Sequence, residues 1–201
     1  SQSDRCHNAY FLRKGISAHY EKIPLQSAQF PVFMAGLRQS GLRGLSVTLP
    51  YKETILPYLD ALDAVASQIG AANTVVCTSE GRCVGYNTDD SGVRQALEPY
   101  VGSLEGQRIL ILGAGGAARA AVGALQQAGA MVWVANRTLQ RALSLAEAFG
   151  AAPIPLDRLT PSFLASLNGF IQATPFRTDL SGAPFFFPCN WLSPRLWVLE
   201  M

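Results

Sequence analysis

Apolar runs and segments of helical periodicity alternate through the second half of the chain. Residues 108–112 and 131–135 are short, nearly continuous apolar runs, as expected of strands buried on both faces. Between them lies an Ala-rich segment that ends at Gly129, where glycine predicts the end of a helix. The glycine-rich residues 113–118 join the first strand to that helix. Strand, glycine turn, helix and strand within about 30 residues predict a βαβ unit of the dinucleotide-binding kind.

The same reading predicts the other elements of the chain. In the first half it indicates strands at 17–25, 44–48, 73–77 and 82–86, a tight turn at Glu80 and Gly81, and helical segments at 29–40, 52–69 and 91–100, the last capped by Ser91. In the second half it indicates helices at 139–149 and 161–167, the latter capped by Thr160, strands near Ile154 and Leu156, at 169–173 and at 196–199, and a rigid aromatic loop at 184–188.

This order of elements predicts an α/β fold with a parallel sheet, because strands alternate with helices. The composition shifts around residues 102–106. We therefore expect two domains, an N-terminal α/β domain over residues 1–101 and a Rossmann-like dinucleotide-binding domain with a parallel sheet over residues 102–201.

The glycine turn has the composition of a phosphate-binding turn. Gly113 lets the chain leave the strand sharply, and Gly115 has no side chain to hold a pyrophosphate away from the backbone. The backbone N–H groups of the following helix start point at an anion, helped by the helix dipole. The predicted cofactor contacts in this turn are Gly113, Ala114, Gly115, Gly116 and Ala117. A glycine-rich turn can also be a plain structural bend, and that alternative stays open here.

The residues after the second strand favour NADP over NAD. An NAD site usually carries an Asp or Glu there, but this chain has Asn136, Arg137 and Thr138, with Arg141 one helical turn further. Guanidinium groups suit a 2′-phosphate because they bind it bidentately. The alternative is that Asn136 or Thr138 only caps the next helix and that both arginines are solvated.

Composition narrows the classes of function. Charged residues make up 15% of the 201 residues and the net charge is +2, which argues against a nucleic-acid or anionic-membrane surface. There is neither an apolar stretch of transmembrane length nor a signal peptide. The four cysteines lack zinc-site spacing, so we expect no metal, and thiols in a reducing cytoplasm. The chain starts without Met and stops within an apolar run, so we interpret the sequence as incomplete.

Polar residues follow several apolar runs of the first half, where ligand sites of open α/β sheets collect. The candidates are Lys52, Asn73 and Asp89. Each has an ordinary structural alternative: an exposed lysine, a turn asparagine and a helix-capping aspartate.

Taken together, these stretches resemble the shikimate dehydrogenase (shikimate/quinate 5-dehydrogenase) family. The resemblance rests on S-x-S at the start, S-V-T-L-P-Y-K, A-A-N-T-V, G-Y-N-T-D, G-A-G-G-A and N-R-T, in this order along nearly the whole chain. It implies a substrate domain followed by a Rossmann domain. It also implies NADPH-dependent reduction of 3-dehydroshikimate to shikimate in the shikimate (chorismate) pathway to aromatic amino acids, possibly within a fused enzyme.

The resemblance also implies roles for individual residues. Lys52 and Asp89 are the implied catalytic pair, which suits a ketone reduction because the new alkoxide needs a proton donor within hydrogen-bond reach. The implied substrate ligands are Ser1, Ser3, Thr48, Lys52, Asn73 and Asp89. Thr174 is implied to line the nicotinamide side.

The chain departs from the family pattern at several positions. These are Asp4, Asp90, Gln172 and Arg177, together with an absent first strand and absent C-terminal helices. They leave open whether this chain turns over substrate. Two alternatives therefore remain, an NAD-using quinate/shikimate dehydrogenase and a non-catalytic relative that binds nucleotide or metabolite. The sequence does not predict the oligomeric state.

Overall fold

The chain divides into two compact units, Ser1–Gly41 and Leu42–Met201. A computed structural model describes residues 3–174, 187 and 189–201. The boundary that the sequence predicts near residue 101 lies inside the second unit, and it stays a prediction. Among the described residues, no helix combines the length and the apolar character needed to cross a membrane.

The first unit is helical. It contains α1 (Ser3–Lys14) and α2 (Phe30–Gly36), and a turn of 3-10 helix, Leu37–Gln39, extends α2. The helix predicted at 29–40 is therefore confirmed. The strand predicted at 17–25 is wrong, since residues 16–26 belong to no helix or strand. The Asn8 side chain takes the place of a strand partner there, accepting from the Tyr20 N–H and donating to the Tyr20 carbonyl, both at 2.8 Å.

The second unit begins with a four-stranded mixed sheet. Its strands are β1 (Gly44–Ser46), β2 (Ala61–Leu62), β3 (Thr74–Cys77) and β4 (Cys83–Tyr86), in the order β1-β3-β4-β2. β3 pairs antiparallel with β1 and β4, whereas β2 pairs parallel with β4. The predicted hairpin is thus confirmed, but the expectation of parallel strands throughout is wrong for this sheet. The chain reverses at Gly81, whose φ of 79° suits glycine.

The helical region predicted at 52–69 is broken into short pieces. It contains α3 (Tyr51–Thr54), a 3-10 turn (Leu56–Tyr58) and α4 (Ala64–Ile69), with β2 between the last two. The break has a local cause, because the Asp63 carboxylate accepts from the Ala66 N–H at 2.8 Å and so starts a new helix.

The next helix, α5 (Asp89–Val101), begins two residues earlier than predicted, after the N-cap residue Thr88. Ser91 was expected as the cap, and this is wrong. It lies within the first turn, where its hydroxyl donates to the Thr88 carbonyl at 3.2 Å.

The second sheet is parallel throughout its described strands. These are β5 (Arg108–Leu112), β6 (Met131–Ala135), β7 (Ala152–Pro153), β8 (Gly169–Gln172) and β9 (Trp197–Glu200), in the order β7-β6-β5-β8-β9. The helices are α6 (Gly116–Gln127), α7 (Leu139–Phe149) and α8 (Pro161–Ala165). The predicted βαβ unit and α7 are confirmed. The Thr160 cap is also confirmed, since its hydroxyl accepts from the Phe163 N–H at 3.2 Å.

The third strand is misplaced in the prediction by about two residues. Ile154 follows β7, and Leu156 begins a 3-10 turn that runs to Arg158. The loop expected at 184–188 lies outside the described residues except for Phe187, which is buried and meets Phe170 edge-on at 5.7 Å.

Strand β5 explains why its sequence is a continuous apolar run. Ile109 and Ile111 face a core cluster with α5, α6 and α7, whereas Leu110 and Leu112 face a second cluster with α8. All four side chains are fully buried. Burial of such a side chain stabilises the fold by about 1.5–3 kcal/mol. The glycine turn therefore leaves a strand that is held firmly on both faces.

Candidate active site

The glycine turn between β5 and α6 is shaped by close backbone contacts. Gly113 has a φ of 127°, and a Cβ atom there would lie 2.6 Å from the Ala173 carbonyl oxygen, so this position needs glycine. Gly115 is the extended N-cap residue of α6, and a Cβ atom there would meet nothing within 4 Å. The start of α6 is thus open to a ligand that its N–H groups can bind. The small Ala118 is buried in the core beside the sheet, as a fingerprint position requires.

The arginines predicted for the cofactor lie near this turn. Arg137 and Arg141 are both exposed. Thr138 is the N-cap residue of α7 but makes no capping bond with its side chain, whereas the Asn136 amide donates to the Thr138 carbonyl at 3.0 Å. Helix capping by the Thr138 hydroxyl therefore does not account for this sequence.

A small cavity connects the glycine turn with the first turns of α7. Its volume is about 160 Å³. Its lining includes Ala114 of the glycine turn, Arg141, and the two further charged residues Glu53 and Arg119. Sequence reasoning missed Arg119, whose guanidinium donates to the Ile69 carbonyl and lies 5.5 Å from the centre of the Phe149 ring. The donors present suit an anionic group of a dinucleotide.

Lys52 and Asp89 form a direct ion pair. The Lys52 ammonium donates to Oδ2 of Asp89 at 2.6 Å. Their side chains are 14% and 23% exposed, so the pair is shielded while it keeps an opening to solvent. α3 supplies the lysine and the first residue of α5 supplies the carboxylate.

Asparagine side chains hold this carboxylate in place. The Asn73 amide donates to Oδ1 of Asp89 at 2.8 Å, so both carboxylate oxygens have donors. The Asn73 carbonyl oxygen accepts from the Thr88 N–H at 3.1 Å. The buried Asn87 accepts from the Asp89 N–H at 3.0 Å and donates to the Ala71 carbonyl at 2.8 Å. Sequence reasoning did not assign Asn87 or Thr88 a role. The signal was present in N-T-D, where Asn and Thr are residues that bond to nearby backbone.

Lys52 lies directly against the glycine turn. A Cβ atom on Gly116 would be 2.9 Å from Cβ and 3.1 Å from Cδ of Lys52. The lysine stem therefore occupies the space that a side chain at Gly116 would take. The backbone also links the two regions of the site, because the Lys52 carbonyl accepts from the Ala72 N–H at 2.8 Å.

A cavity of about 250 Å³ opens beside this pair. Lys52, Thr88 and Asp89 provide its polar wall. The remaining lining is small or apolar, namely Gly92, Val93, Ala96, Ala117, Leu199 and Met201. An ammonium in such a site meets a ligand with little competing water, which strengthens its hydrogen bonds.

Comparison with known proteins decides the family. The model of the shikimate dehydrogenase substrate binding domain matches residues 1–75, and the shikimate / quinate 5-dehydrogenase model matches residues 95–179. A shikimate dehydrogenase (NADP(+)) from Moorella thermoacetica is 38% identical over the whole chain, which spans 70% of that relative. The chain belongs to the shikimate dehydrogenase family.

Solved structures of the family share the fold. Shikimate dehydrogenase from Aquifex aeolicus superposes with a TM-score of 0.90 at 30% identity over the whole chain and 73% of its own. Shikimate 5-dehydrogenase from Thermus thermophilus, solved with NADP(H) and shikimate, gives 0.85 at 36% identity over the whole chain and 73% of its own. Several curated relatives are much longer than this chain, which spans between 52% and 70% of their lengths.

The residues implied by the family resemblance are only partly brought together. Lys52, Asn73 and Asp89 form one hydrogen-bonded cluster. Thr48 is exposed at the turn before α3, where its carbonyl accepts from the Tyr51 N–H at 2.9 Å. Ser3 is the first residue of α1, and its carbonyl bonds to the His7 ring at 2.8 Å. Ser1 lies outside the described residues.

Thr174 lies beside the glycine turn. Its Cγ2 is 3.4 Å from the position of a Cβ atom on Gly113. Gln172, which departs from the family pattern, is buried and accepts from the Thr174 hydroxyl at 3.1 Å. The glutamine thus orders the loop after β8.

The two acidic departures are paired with basic residues. Asp4 forms an ion pair with Lys22 at 2.8 Å, and the hydrogen bond from Lys22 holds the pKa of the Asp4 carboxyl below its ordinary value. Asp90 is buried and accepts from Arg94 at 2.8 Å within α5. Arg177 lies outside the described residues. Among the described residues, no group of three or more His, Cys, Asp or Glu side chains is placed to hold a metal ion.

Proposed function

We propose that the protein catalyses the reversible NADP-dependent reduction of 3-dehydroshikimate to shikimate. The observation that carries this proposal is the Lys52–Asp89 ion pair, which lies against Gly116 at the glycine turn. Such a pair serves proton transfer, and its place beside a dinucleotide-binding turn indicates transfer to a group that is reduced there. The names of the curated relatives support the same reaction.

In this proposal Lys52 is the general acid of the reduction. The bound nicotinamide supplies the hydride. The ketone oxygen gains negative charge as it is reduced, and the Lys52 ammonium donates a proton to it. In the reverse direction the lysine accepts the proton of the hydroxyl. The shielding of the pair supports this role, because a partly buried ammonium keeps its geometry.

Asp89 positions the lysine and is itself positioned by Asn73 and Asn87. The carboxylate stabilises the ammonium form that the reduction needs. We further propose that Thr48, Asn73 and Asp89 bind ring hydroxyls and that Ser1 and Ser3 bind the substrate carboxylate. For these the support is the family resemblance, with the cluster geometry added for Asn73 and Asp89.

The dinucleotide is assigned to the glycine turn and to the residues after β6. Gly113–Ala117 would hold the pyrophosphate through backbone N–H groups, because Gly115 leaves the approach open. Asn136, Arg137, Thr138 and Arg141 would hold the 2′-phosphate, and Thr174 would line the nicotinamide side. We assign substrate binding to residues 1–101 and cofactor binding to residues 102–201, which the two family models support.

Replacement of the lysine tests the assignment. Lys52→Ala should lower kcat for shikimate-dependent reduction of NADP by about 10²–10⁴-fold, the usual contribution of a general acid–base group. Circular dichroism and the unfolding midpoint should change little, since the side chain is not part of the core.

Lys14→Ala is the matched control, because this exposed lysine ends α1. Full activity of Lys52→Ala would remove the lysine from the mechanism. If the unmodified chain binds NADPH in a fluorescence titration but does not turn over shikimate, the non-catalytic alternative holds instead.

A further inference from the structure

Two thiols oppose each other at the closed end of the β3–β4 hairpin. Cys77 and Cys83 are register partners in this antiparallel pair. Their sulfur atoms are 2.8 Å apart, and both residues are buried, at 4% and 1% exposure. Nothing in the proposed reaction uses either of them.

The backbone places them as a pair without mutual hydrogen bonds. The Cys77 N–H donates to the Arg43 carbonyl, on the side of β1. The Cys83 N–H donates to the Asp60 carboxylate at 2.7 Å, and the Cys83 carbonyl accepts from the Asp60 N–H at 2.9 Å. Both cysteines thus direct their backbone groups to outer neighbours and not to each other.

This arrangement suits a covalent link between the side chains. In non-hydrogen-bonded antiparallel pairs the Cα atoms are about 4.5 Å apart. Disulfides form when Cα atoms are about 4.4–6.8 Å apart. Closing the bond therefore requires movement of the sulfur atoms but not of the strands.

We propose that Cys77 and Cys83 are a redox modification site that forms an intramolecular disulfide with a small peroxide oxidant. One thiolate attacks the O–O bond of hydrogen peroxide, which gives a sulfenic acid and hydroxide. The second thiol then attacks that sulfur, forms the S–S bond and releases water. In sum, two thiols and one peroxide give one disulfide and two waters, with two electrons passing from sulfur to oxygen.

The position in the hairpin gives access and a consequence. Thr78, Ser79 and Glu80 of the adjoining turn are exposed, so a small oxidant reaches the closed end from solvent. The other end of the same hairpin leads into Asn73 and Asn87, which bond to Asp89. A disulfide would fix the closed end covalently and would raise the stability of the hairpin. The site does not depend on the proposed enzymatic activity.

Peptide mapping of the 201-residue chain tests the proposal. The chain is treated with hydrogen peroxide, remaining thiols are alkylated in denaturant, and the protein is digested with trypsin. Cleavage at Lys52, Arg82 and Arg94 separates the two cysteines, so peptides 53–82 and 83–94 should appear joined and should separate on reduction.

Three variants sharpen the test. Cys6→Ala, which removes the exposed thiol of α1, should give the same joined peptides, whereas Cys77→Ala and Cys83→Ala should not. The oxidised wild type should also unfold at a higher urea concentration than the reduced form. The proposal is overturned if both peptides remain separately alkylated after peroxide, or if either cysteine is oxidised to a sulfinic acid without the link. The wild-type map decides this even where a variant does not fold.

Discussion

At the scale of single residues, Gly116 has two functions that compete for the same atom. A glycine there belongs to the dinucleotide fingerprint, and its missing Cβ also leaves space for the Lys52 stem. The sequence shows the first function but not the second, because Lys52 lies 64 positions earlier and no local pattern connects the two. Lys52, Asn73 and Asp89 were predictable as a set only because their motifs occur together in one family. Asn87 was not, because its role depends on the Ala71 carbonyl.

Gly116→Ala should therefore impair catalysis through the lysine. The added methyl would lie 2.9 Å from Cβ of Lys52, so the stem must shift. A displacement of about 1 Å at a catalytic group costs about 100-fold in rate, and we expect kcat to fall by about that factor.

Gly36→Ala provides the comparison, since a Cβ atom on this glycine of α2 meets nothing within 4 Å. Steady-state kinetics with shikimate and NADP measures both variants. Unchanged kcat in Gly116→Ala would show that the lysine does not need this space.

At the scale of elements, short-range capping decides where helices begin. Periodicity predicted α7 and the βαβ unit well, because their apolar stripes are long and end in glycine. It failed between residues 52 and 69, where β2 and the Asp63 cap interrupt a sequence that otherwise has helical composition. It failed again at residues 17–25, where Asn8 satisfies the Tyr20 backbone, a contact that no periodicity reveals.

Asp63→Ala should destabilise the protein by about 1 kcal/mol, the usual cost of losing an N-cap side chain. The reason is that the Ala66 N–H loses its acceptor at the start of α4. Urea unfolding followed by circular dichroism measures the change.

Ser91→Ala tests the same idea in reverse, because this serine was predicted to cap α5 but lies within it. Its unfolding free energy should stay within about 0.5 kcal/mol of the wild type. A loss as large as that of Asp63→Ala would mean that the assignment of the α5 start is wrong.

At the scale of the whole molecule, the parallel sheet and its order follow from the sequence, but the mixed sheet does not. Strand β2 has two residues, and its parallel pairing with β4 leaves no signature in so short a segment. Cofactor choice also belongs to this scale, since a ligand that binds only the folded state stabilises all of it.

NADPH should therefore stabilise the chain more than NADH does. At about 100 times its Kd, a ligand raises the unfolding free energy by about 2.7 kcal/mol. We expect thermal unfolding scans to show a larger upward shift of Tm with NADPH than with the same concentration of NADH. Arg141→Ala should remove most of that difference, because the 2′-phosphate loses a guanidinium.

Arg158→Ala is the matched control, as this exposed arginine lies in the 3-10 turn after β7. Equal shifts with the two cofactors in the wild type would instead support the NAD-using alternative.

The position of β5 in the middle of the parallel sheet has a consequence for the order of assembly. Its pairing with β6 joins segments about one helix apart, whereas its pairing with β8 aligns Ile109 with Gly169, sixty positions further along the chain. Closing the longer loop costs more chain entropy before any contact rewards it. The β6 flank should consequently nucleate, and the β8 flank, with the Thr174 loop that follows it, should dock late.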